Sequence, residues 1–250
     1  MQIEDVAKKN YFSQFPDEET LRQSLSNSFI INWPMSKSVG GDGYWAYEKD
    51  DIIYLVVYDC MGHGHLASMA TRIYTNSLTK VIVENERTIP GSILRCVHEE
   101  IASKYGKKQN THLKTGADAG VVKIDRKNKK LEFAGAKMDL WMVKNGVYEV
   151  LKADRMQVGE FFDYYHEYNT HEIDLTEHAG TKFYLSSDGV KDLIGGPDDK
   201  KLGKVNLTNL LERNADLAMA EQKEIFISYF QNWMGSNEQF DDVLMVGFEL

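Results

Sequence analysis

The sequence predicts an α+β fold built on antiparallel sheet, and two kinds of pattern support that prediction. Residues 116–151 contain short apolar runs joined by polar turns, and Asn145-Gly146 has the composition of a tight hairpin turn. Over 65–84 and 90–105, apolar residues recur at helical spacing. Because consecutive hairpins pair antiparallel, the helices are expected to cover the faces of an antiparallel sheet.

The remaining elements follow from periodicity and from the residues that interrupt it. Pro16 stops a weakly amphipathic N-terminal pattern, Pro34 ends an early strand, and Pro90-Gly91 opens a helix. We predict helices over 2–15, 17–25, 65–84, 90–105, 207–213 and 218–233. We predict strands over 29–33, 52–58, 119–124, 131–136, 140–143, 147–151, 182–187 and 243–250, and an edge strand over 168–175.

Composition limits the classes of protein to which the chain can belong. It has 250 residues, 42% of them hydrophobic and 27% charged, as in an ordinary globular protein. The net charge of −9 and the lack of a basic stripe argue against nucleic-acid binding. No apolar run approaches the roughly 20 residues of a membrane span, and no secretory signal is visible. Cys60 and Cys96 are too few for a disulfide framework, so a cytoplasmic protein is expected.

Four acidic positions share one kind of local sequence, a strand edge beside glycine or a second acid. They are Asp42, Asp59, Asp188 and one of the pair Asp241 and Asp242. Short acids also cap turns and helices, which is the simpler explanation for any one of them. Several carboxylates at one rim would repel one another unless cations neutralised them, and all-oxygen ligands favour Mg²⁺ or Mn²⁺. A pair of such ions about 3.5–4 Å apart is suited to hydrolysing phosphate esters.

Two of these acids are predicted to lie together. The polar turn 48–51 joins the segment that carries Asp42 to the strand that ends at Asp59. A hairpin across this turn would bring the two carboxylates close to each other. In the glycine-rich turn that follows, we interpret His63 as a residue that hydrogen-bonds the turn, and Cys60 as an inert small side chain.

Five motifs occur in a fixed order along the chain. They are Val39-Gly-Gly-Asp-Gly-Tyr-Trp, Asp59-Cys-Met-Gly-His-Gly, Phe133-Ala-Gly-Ala, Ser187-Asp-Gly-Val-Lys-Asp with Gly195-Gly196 behind it, and Asp241-Asp-Val-Leu-Met-Val-Gly. Together they resemble the SpoIIE-like branch of the PPM-type, metal-dependent serine/threonine protein phosphatases, over roughly residues 12–250. The resemblance implies a four-layer α-β-β-α sandwich of two antiparallel sheets flanked by helices, with two metal ions at one end.

The resemblance also implies roles for individual residues. Asp59 resembles the carboxylate that bridges the two Mg²⁺ or Mn²⁺ ions, and Cys60 would offer its backbone carbonyl. Asp42, Asp188 and Asp241 match the remaining metal-site acids. In a separate position, Lys37 lies five residues before Asp42, about where some relatives place a phosphate-binding arginine.

The sequence departs from the family pattern at four places. Gly43 replaces a common aromatic residue, and Leu244 stands where threonine is common. His63 lies two places later than the histidine proposed as a general acid in the eukaryotic branch. Asp118 falls where many relatives have threonine, and we expect it beside the metal ligands rather than among them.

The function implied by the resemblance is hydrolysis of phosphoserine or phosphothreonine in a phosphorylated regulatory protein of a bacterial partner-switching pathway, by metal-activated water and without a covalent phosphoenzyme. Residues 1–15 would be an N-terminal helical segment with a regulatory role, and 16–250 the phosphatase domain. A homodimer is a further expectation. The alternative function is a catalytically silent domain that uses the same fold to sequester a regulatory partner.

Other phosphate chemistries lack their required motifs. A cysteine phosphatase needs Cys-x5-Arg, but Leu66 and Ala102 stand at that spacing after the two cysteines. None of the candidate strand ends has Asp-x-Asp, and the chain has no Gly-x4-Gly-Lys-Ser/Thr loop.

Overall fold

The computed structural model describes residues 3–16, 18–35, 39–62, 64–106, 115–159 and 166–250. Its strands are β1 (Ser28–Trp33), β2 (Asp42–Lys49), β3 (Ile52–Cys60), β4 (Ala117–Asp125), β5 (Lys130–Ala136), β6 (Leu140–Lys144), β7 (Val147–Leu151), β8 (His171–Asp174), β9 (Lys182–Ser186), β10 (Ile194–Gly195), β11 (Lys200–Lys201) and β12 (Val243–Glu249). Its helices are α1 (Ile3–Phe12), α2 (Glu18–Ser24), α3 (Gly64–Leu78), α4 (Pro90–Ile101), α5 (Gly189–Asp192), α6 (Gly203–Arg213) and α7 (Met219–Met234).

Two five-stranded antiparallel sheets form the centre of the fold. The first has the strand order β1-β12-β9-β6-β7, and the second has the order β2-β3-β4-β5-β8. Both sheets pair antiparallel throughout. The α+β class and the two-sheet arrangement predicted from the sequence are therefore confirmed.

Strand β12 shows how the layers are held together, because its side chains alternate between two cores. Leu244 and Val246 belong to the core between the sheets, whereas Val243 and Met245 belong to the core under α6 and α7. The helices α3 and α4 pack on the second sheet. The layers are thus α6 and α7, the first sheet, the second sheet, and α3 with α4.

The hairpins predicted for β4–β5 and β6–β7 are present. Strands β5 and β6, which are also consecutive, do not pair, because the chain crosses from one sheet to the other between them. Gly195 to Pro197 lie in a small hairpin formed by β10 and β11. The helix α3 continues as a π-helical segment, Thr79–Glu84, so the predicted helix over 65–84 is interrupted only in its hydrogen-bond pattern.

The N-terminal helix packs onto the domain. Tyr11 and Phe15 are buried in the core between the sheets, and Phe15 stacks on Tyr44. Among the described residues, no helix is both long and apolar enough to cross a membrane.

Candidate metal centre

Strand register brings three acids into one row at an end of the second sheet. Asp59, at the end of β3, pairs with Asp42 of β2 on one side and with Asp118 of β4 on the other. The predicted proximity of Asp42 and Asp59 follows directly from this hairpin register.

The first sheet delivers further acids to the same place. Asp188 follows β9 and Asp241 precedes β12, and these two strands are paired neighbours. The charges of both Asp188 and Asp241 act on Asp59. The two sheets of the sandwich therefore contribute carboxylates to one shared rim.

Two clefts meet at this rim and share the side chains of Asp59, Asp118 and Asp188. We call them the lysine cleft and the aromatic cleft. The lysine cleft is lined by Asp59, Asp118, Lys137, Met138, Asp139, Trp141, Ser186, Asp188 and Lys191. The aromatic cleft is lined by Asp59, Met61, Gly62, Asp118, Gln157, Asp188, Phe240 and Asp241.

Asp42 lies beneath this rim and is almost fully enclosed. Its side chain is 1% exposed, and its Oδ2 atom is buried without a hydrogen-bond partner. Burial raises the pKa of this carboxyl well above its usual range, and the charge of Asp59 adds to the rise, while a hydrogen bond with the Ser187 side chain opposes it. A buried carboxylate oxygen without a partner is costly unless a cation or a proton satisfies it.

Asp59 lies at the centre of the acidic rim. Burial raises its pKa well above the usual range, and the charges of Asp188, Asp118 and Asp241 raise it further. A hydrogen bond donated by the backbone N–H of Asp188 partly offsets this effect. Such a pattern of mutual repulsion is typical of carboxylates arranged to bind cations.

The neighbours Asp241 and Asp242 have different surroundings. Asp241 is exposed and lines the aromatic cleft, whereas Asp242 is 2% exposed. The Asp242 carboxylate accepts hydrogen bonds from the backbone N–H groups of Met35, at 2.7 Å, and Gly41, at 2.6 Å. Asp242 thereby holds the segment that precedes β2, while Asp241 faces the site.

Two glycines, Gly40 and Gly41, allow the chain before β2 to lie close to Asp242 and Cys60. A Cβ atom on Gly40 would lie 2.6 Å from Oδ1 of Asp242, and one on Gly41 would lie 2.6 Å from the carbonyl oxygen of Cys60. The glycine pair of the first motif therefore lets the Cys60 carbonyl and the Asp242 side chain approach the same turn. The Cys60 thiol is buried, and burial raises its pKa well above the usual range, which makes it a poor nucleophile.

The donor chemistry of the rim fits a hard divalent cation, since it consists of carboxylates and a backbone carbonyl. The partnerless oxygen of Asp42 fits it too. Within the residues that the structure describes, no three Asp, Glu, His or Cys side chains are close enough to form the ligand set of a single ion. Lys37 and His63 lie outside the described residues.

Sequence reasoning missed the residues that complete the clefts. Gln157 donates a hydrogen bond of 2.7 Å to Asp118, and Phe240, 65% exposed, borders Asp241. Lys137 and Lys191 line the other side. Lys191 lies inside a motif that carries a candidate ligand, and Lys137 and Phe240 directly adjoin two other motifs, so their positions were available signals. Gln157 stands in a stretch without a local pattern.

The fold and the placement of its acids define a PP2C-type phosphatase domain. The chain belongs to the SpoIIE family, since the family model described as Stage II sporulation protein E (SpoIIE) matches residues 49–250. None of the curated proteins matches the sequence significantly.

Solved structures give the same fold. The SiaA-PP2C domain of Pseudomonas aeruginosa is 29% identical, with a TM-score of 0.88 over 99% of this chain and 95% of that one. The PP2C phosphatase domain of the cell fate determinant SpoIIE from Bacillus subtilis, with a fragment of its regulatory domain, is 14% identical, with a TM-score of 0.69 over 90% of this chain and 63% of that one. RsbX in complex with magnesium is 16% identical, with a TM-score of 0.59 over 89% and 94%.

Proposed function

We propose that the protein is a phosphoserine/phosphothreonine protein phosphatase that depends on two Mg²⁺ or Mn²⁺ ions. The observation that carries the proposal is the shared rim of Asp59, Asp118 and Asp188 between two open clefts, with Asp42 enclosed beneath it. Membership of the SpoIIE family supports the same activity. RsbX, which shares the fold, has been solved with magnesium.

In this proposal the chain holds the ions and positions the substrate. Asp59, the Cys60 carbonyl and the carboxylates of Asp42, Asp188 and Asp241 would hold the ions, and Gln157 holds Asp118 beside them by a hydrogen bond. Divalent cations bound here would supply the Lewis acidity that activates water and balances phosphoryl charge. The buried Cys60 side chain takes no part in the reaction.

The proposed substrate is a phosphorylated regulatory protein of a partner-switching pathway, as the family resemblance implies. The fold match to the RsbU and RsbW domains of Rv1364c from Mycobacterium tuberculosis agrees with a signalling context. Lys37 is proposed to contact the phosphate. Residues 1–15 are proposed as a regulatory segment, with self-association as one means of control.

The test measures hydrolysis of p-nitrophenyl phosphate and of a phosphoserine peptide by the purified chain. We expect turnover with Mn²⁺ or Mg²⁺, loss after exhaustive chelation, and recovery when metal returns, because the bound ions would activate the attacking water. Asp59→Asn should lose both metal binding and turnover. Unchanged turnover after chelation would contradict the metal mechanism.

The alternative, a catalytically silent domain that sequesters a partner, makes a different prediction in the same experiment. Such a domain would bind Mn²⁺ and a phosphoprotein without releasing phosphate.

A further inference from the structure

Two lysines lie on one side of the acidic rim. Lys137 and Lys191 line the lysine cleft together with Asp59, Asp118 and Asp188. Lys137 follows β5, whereas Lys191 is in the short helix α5, three residues after Asp188. The two sheets thus each bring a cation to the cleft, as they each bring carboxylates.

In the described part of the chain, neither the Lys137 nor the Lys191 ammonium group forms an ion pair or a side-chain hydrogen bond. Burial raises the pKa of Asp118 in this cleft, and the charges of both lysines oppose that rise. By contrast, Lys201 pairs with Asp192 at 2.7 Å, next to the same helix. The lysines of the cleft are therefore available to a ligand.

The backbone at Lys137 is in an unfavourable conformation for lysine. Its φ of 58° lies in the left-handed region, which is unfavourable for a residue with a Cβ atom. Its N–H donates to the Asp154 carbonyl at 2.7 Å, and a bridge to Ala119 fixes it from the other side. Glycine would adopt this backbone conformation more readily than lysine. The Lys137 side chain is exposed and lines the cleft.

The charges in the clefts are unequally distributed. Among the lining residues that the structure describes, lysine is found in the lysine cleft, whereas the aromatic cleft has Phe240 and Asp241. A phosphate monoester carries close to two negative charges at neutral pH and has three acceptor oxygens. Its oxygens would be repelled by the carboxylates from either side, so the side with two cations is favoured.

We infer that Lys137 and Lys191 bind the phosphoryl group of the substrate in the lysine cleft. The inference rests on the proposed function and deepens it, because it assigns the side from which the phosphate enters. It adds two phosphate-binding residues to Lys37. The aromatic cleft is then left for the polypeptide of the substrate protein that carries the phosphate. The lysines hold and orient the substrate and take no proton during the reaction.

The experiment compares Lys137→Gly with Lys129→Gly. Lys129 is an exposed lysine with φ 50° in the turn between β4 and β5, so both substitutions remove one charge and relieve the same backbone conformation. Binding of inorganic phosphate to the Mn²⁺-loaded protein is measured by calorimetry, beside Mn²⁺ affinity and the KM and kcat for a phosphoserine peptide.

For Lys137→Gly we expect phosphate binding weakened about 10-fold, in line with the loss of one charge-assisted hydrogen bond, and a KM raised by a similar factor. Mn²⁺ affinity and kcat should change much less. Lys137→Arg, which keeps the positive charge, should bind phosphate more tightly than Lys137→Gly. Lys191→Met should behave like Lys137→Gly. The control Lys129→Gly should bind phosphate as the parent protein does.

Phosphate affinity that stays unchanged in both Lys137→Gly and Lys191→Met overturns the inference. A change confined to Mn²⁺ affinity also overturns it, because the lysines would then only balance the charge of the acids. If the parent protein binds phosphate but releases none from any substrate, the proposed function fails, while weaker phosphate binding in Lys137→Gly still supports this inference.

Discussion

Asp241 and Asp242 show how two adjacent identical residues take different roles. Both residues lie directly before β12, and the backbone bends at Asp241. Asp241 borders the cleft, and Asp242 turns inward to the backbone N–H groups of Met35 and Gly41. The carboxylate of Asp242 thus links Met35, which follows β1, to Gly41, which precedes β2.

Replacing each of these acids by its amide separates the two roles. Asp241→Asn should fold with near-normal stability but lose Mn²⁺ affinity and most activity, since a proposed ligand is lost at an exposed position. Asp242→Asn should keep more of both, but it should lower the free energy of unfolding by about 1–3 kcal/mol, because an amide N–H₂ would then face a backbone donor. Calorimetric Mn²⁺ titration and thermal unfolding of both variants test this. An inactive, stable Asp242→Asn beside a near-normal Asp241→Asn would reverse the assignment.

At the residue scale, the sequence pattern pointed to the four acidic positions, but it could not decide between Asp241 and Asp242 at the fourth. The residues after Asp242 are apolar on both faces, because β12 is buried between two cores, so alternation gave no indication of which acid faces the site. Lys137 was missed for another reason. Its left-handed φ depends on the crossing between sheets, and no turn motif marks it.

Helix α1 is coupled to strand β2 through one buried contact. The hydroxyl of Tyr11, 1% exposed, donates a 2.5 Å hydrogen bond to the backbone carbonyl of Asp42. The ring of Tyr11 also packs edge-on against Phe15. The N-terminal segment therefore touches the first residue of the strand that carries a proposed metal ligand.

Tyr11→Phe removes this hydroxyl while the ring keeps its packing. We expect the variant to lose about 1–3 kcal/mol of unfolding free energy, because the Asp42 carbonyl would be buried without a donor. Mn²⁺ affinity should fall as well, since the first residue of β2 is less firmly held. Tyr44→Phe is the matched control, because the Tyr44 hydroxyl bonds the Pro16 carbonyl rather than the strand that carries Asp42. Unchanged Mn²⁺ affinity in Tyr11→Phe would show that helix α1 stabilises the domain without affecting the site.

Elements whose signals are local were predictable from the sequence. The β6–β7 hairpin follows from Asn145-Gly146, where both residues have positive φ. Sheet membership was not predictable in this way, since β5 and β6 are neighbours in the chain yet lie in different sheets. Only the side chains of the assembled cores decide which strands share a sheet. The four layers accordingly came from the family resemblance rather than from periodicity.

For the whole molecule, the acidic rim opposes folding wherever the acids are charged and no cation is bound. Burial and neighbouring carboxylates raise the pKa of both Asp42 and Asp59. In the unfolded chain the same groups titrate near the ordinary aspartate value of about 4. Between the unfolded and folded pKa values, the native state binds more protons than the unfolded state. The free energy of unfolding therefore falls as the pH rises through this window.

Asp59→Asn removes the acid at the centre of the rim without changing its size. In the presence of chelator, we expect this variant to unfold at a higher temperature than the parent at pH 7.5, by about 2–4 °C for each kcal/mol of relieved repulsion. The difference should be smaller at pH 5.5 than at pH 7.5, because carboxyls with a raised pKa take up protons as the pH falls. Saturating Mn²⁺ should reverse the order, because binding to the native state stabilises only the parent.

Asp174→Asn is a control, because the pKa of Asp174 is shifted in the opposite direction. Hydrogen bonds from the Thr176 side chain and backbone lower the pKa of Asp174, so its contribution to stability is present above the unfolded pKa and is lost as the pH falls. Its amide variant should therefore gain nothing at pH 7.5, with or without Mn²⁺. If Asp59→Asn in chelator unfolds below the parent at both pH values, the carboxylates at the rim do not repel one another, and cations are not needed to hold them together.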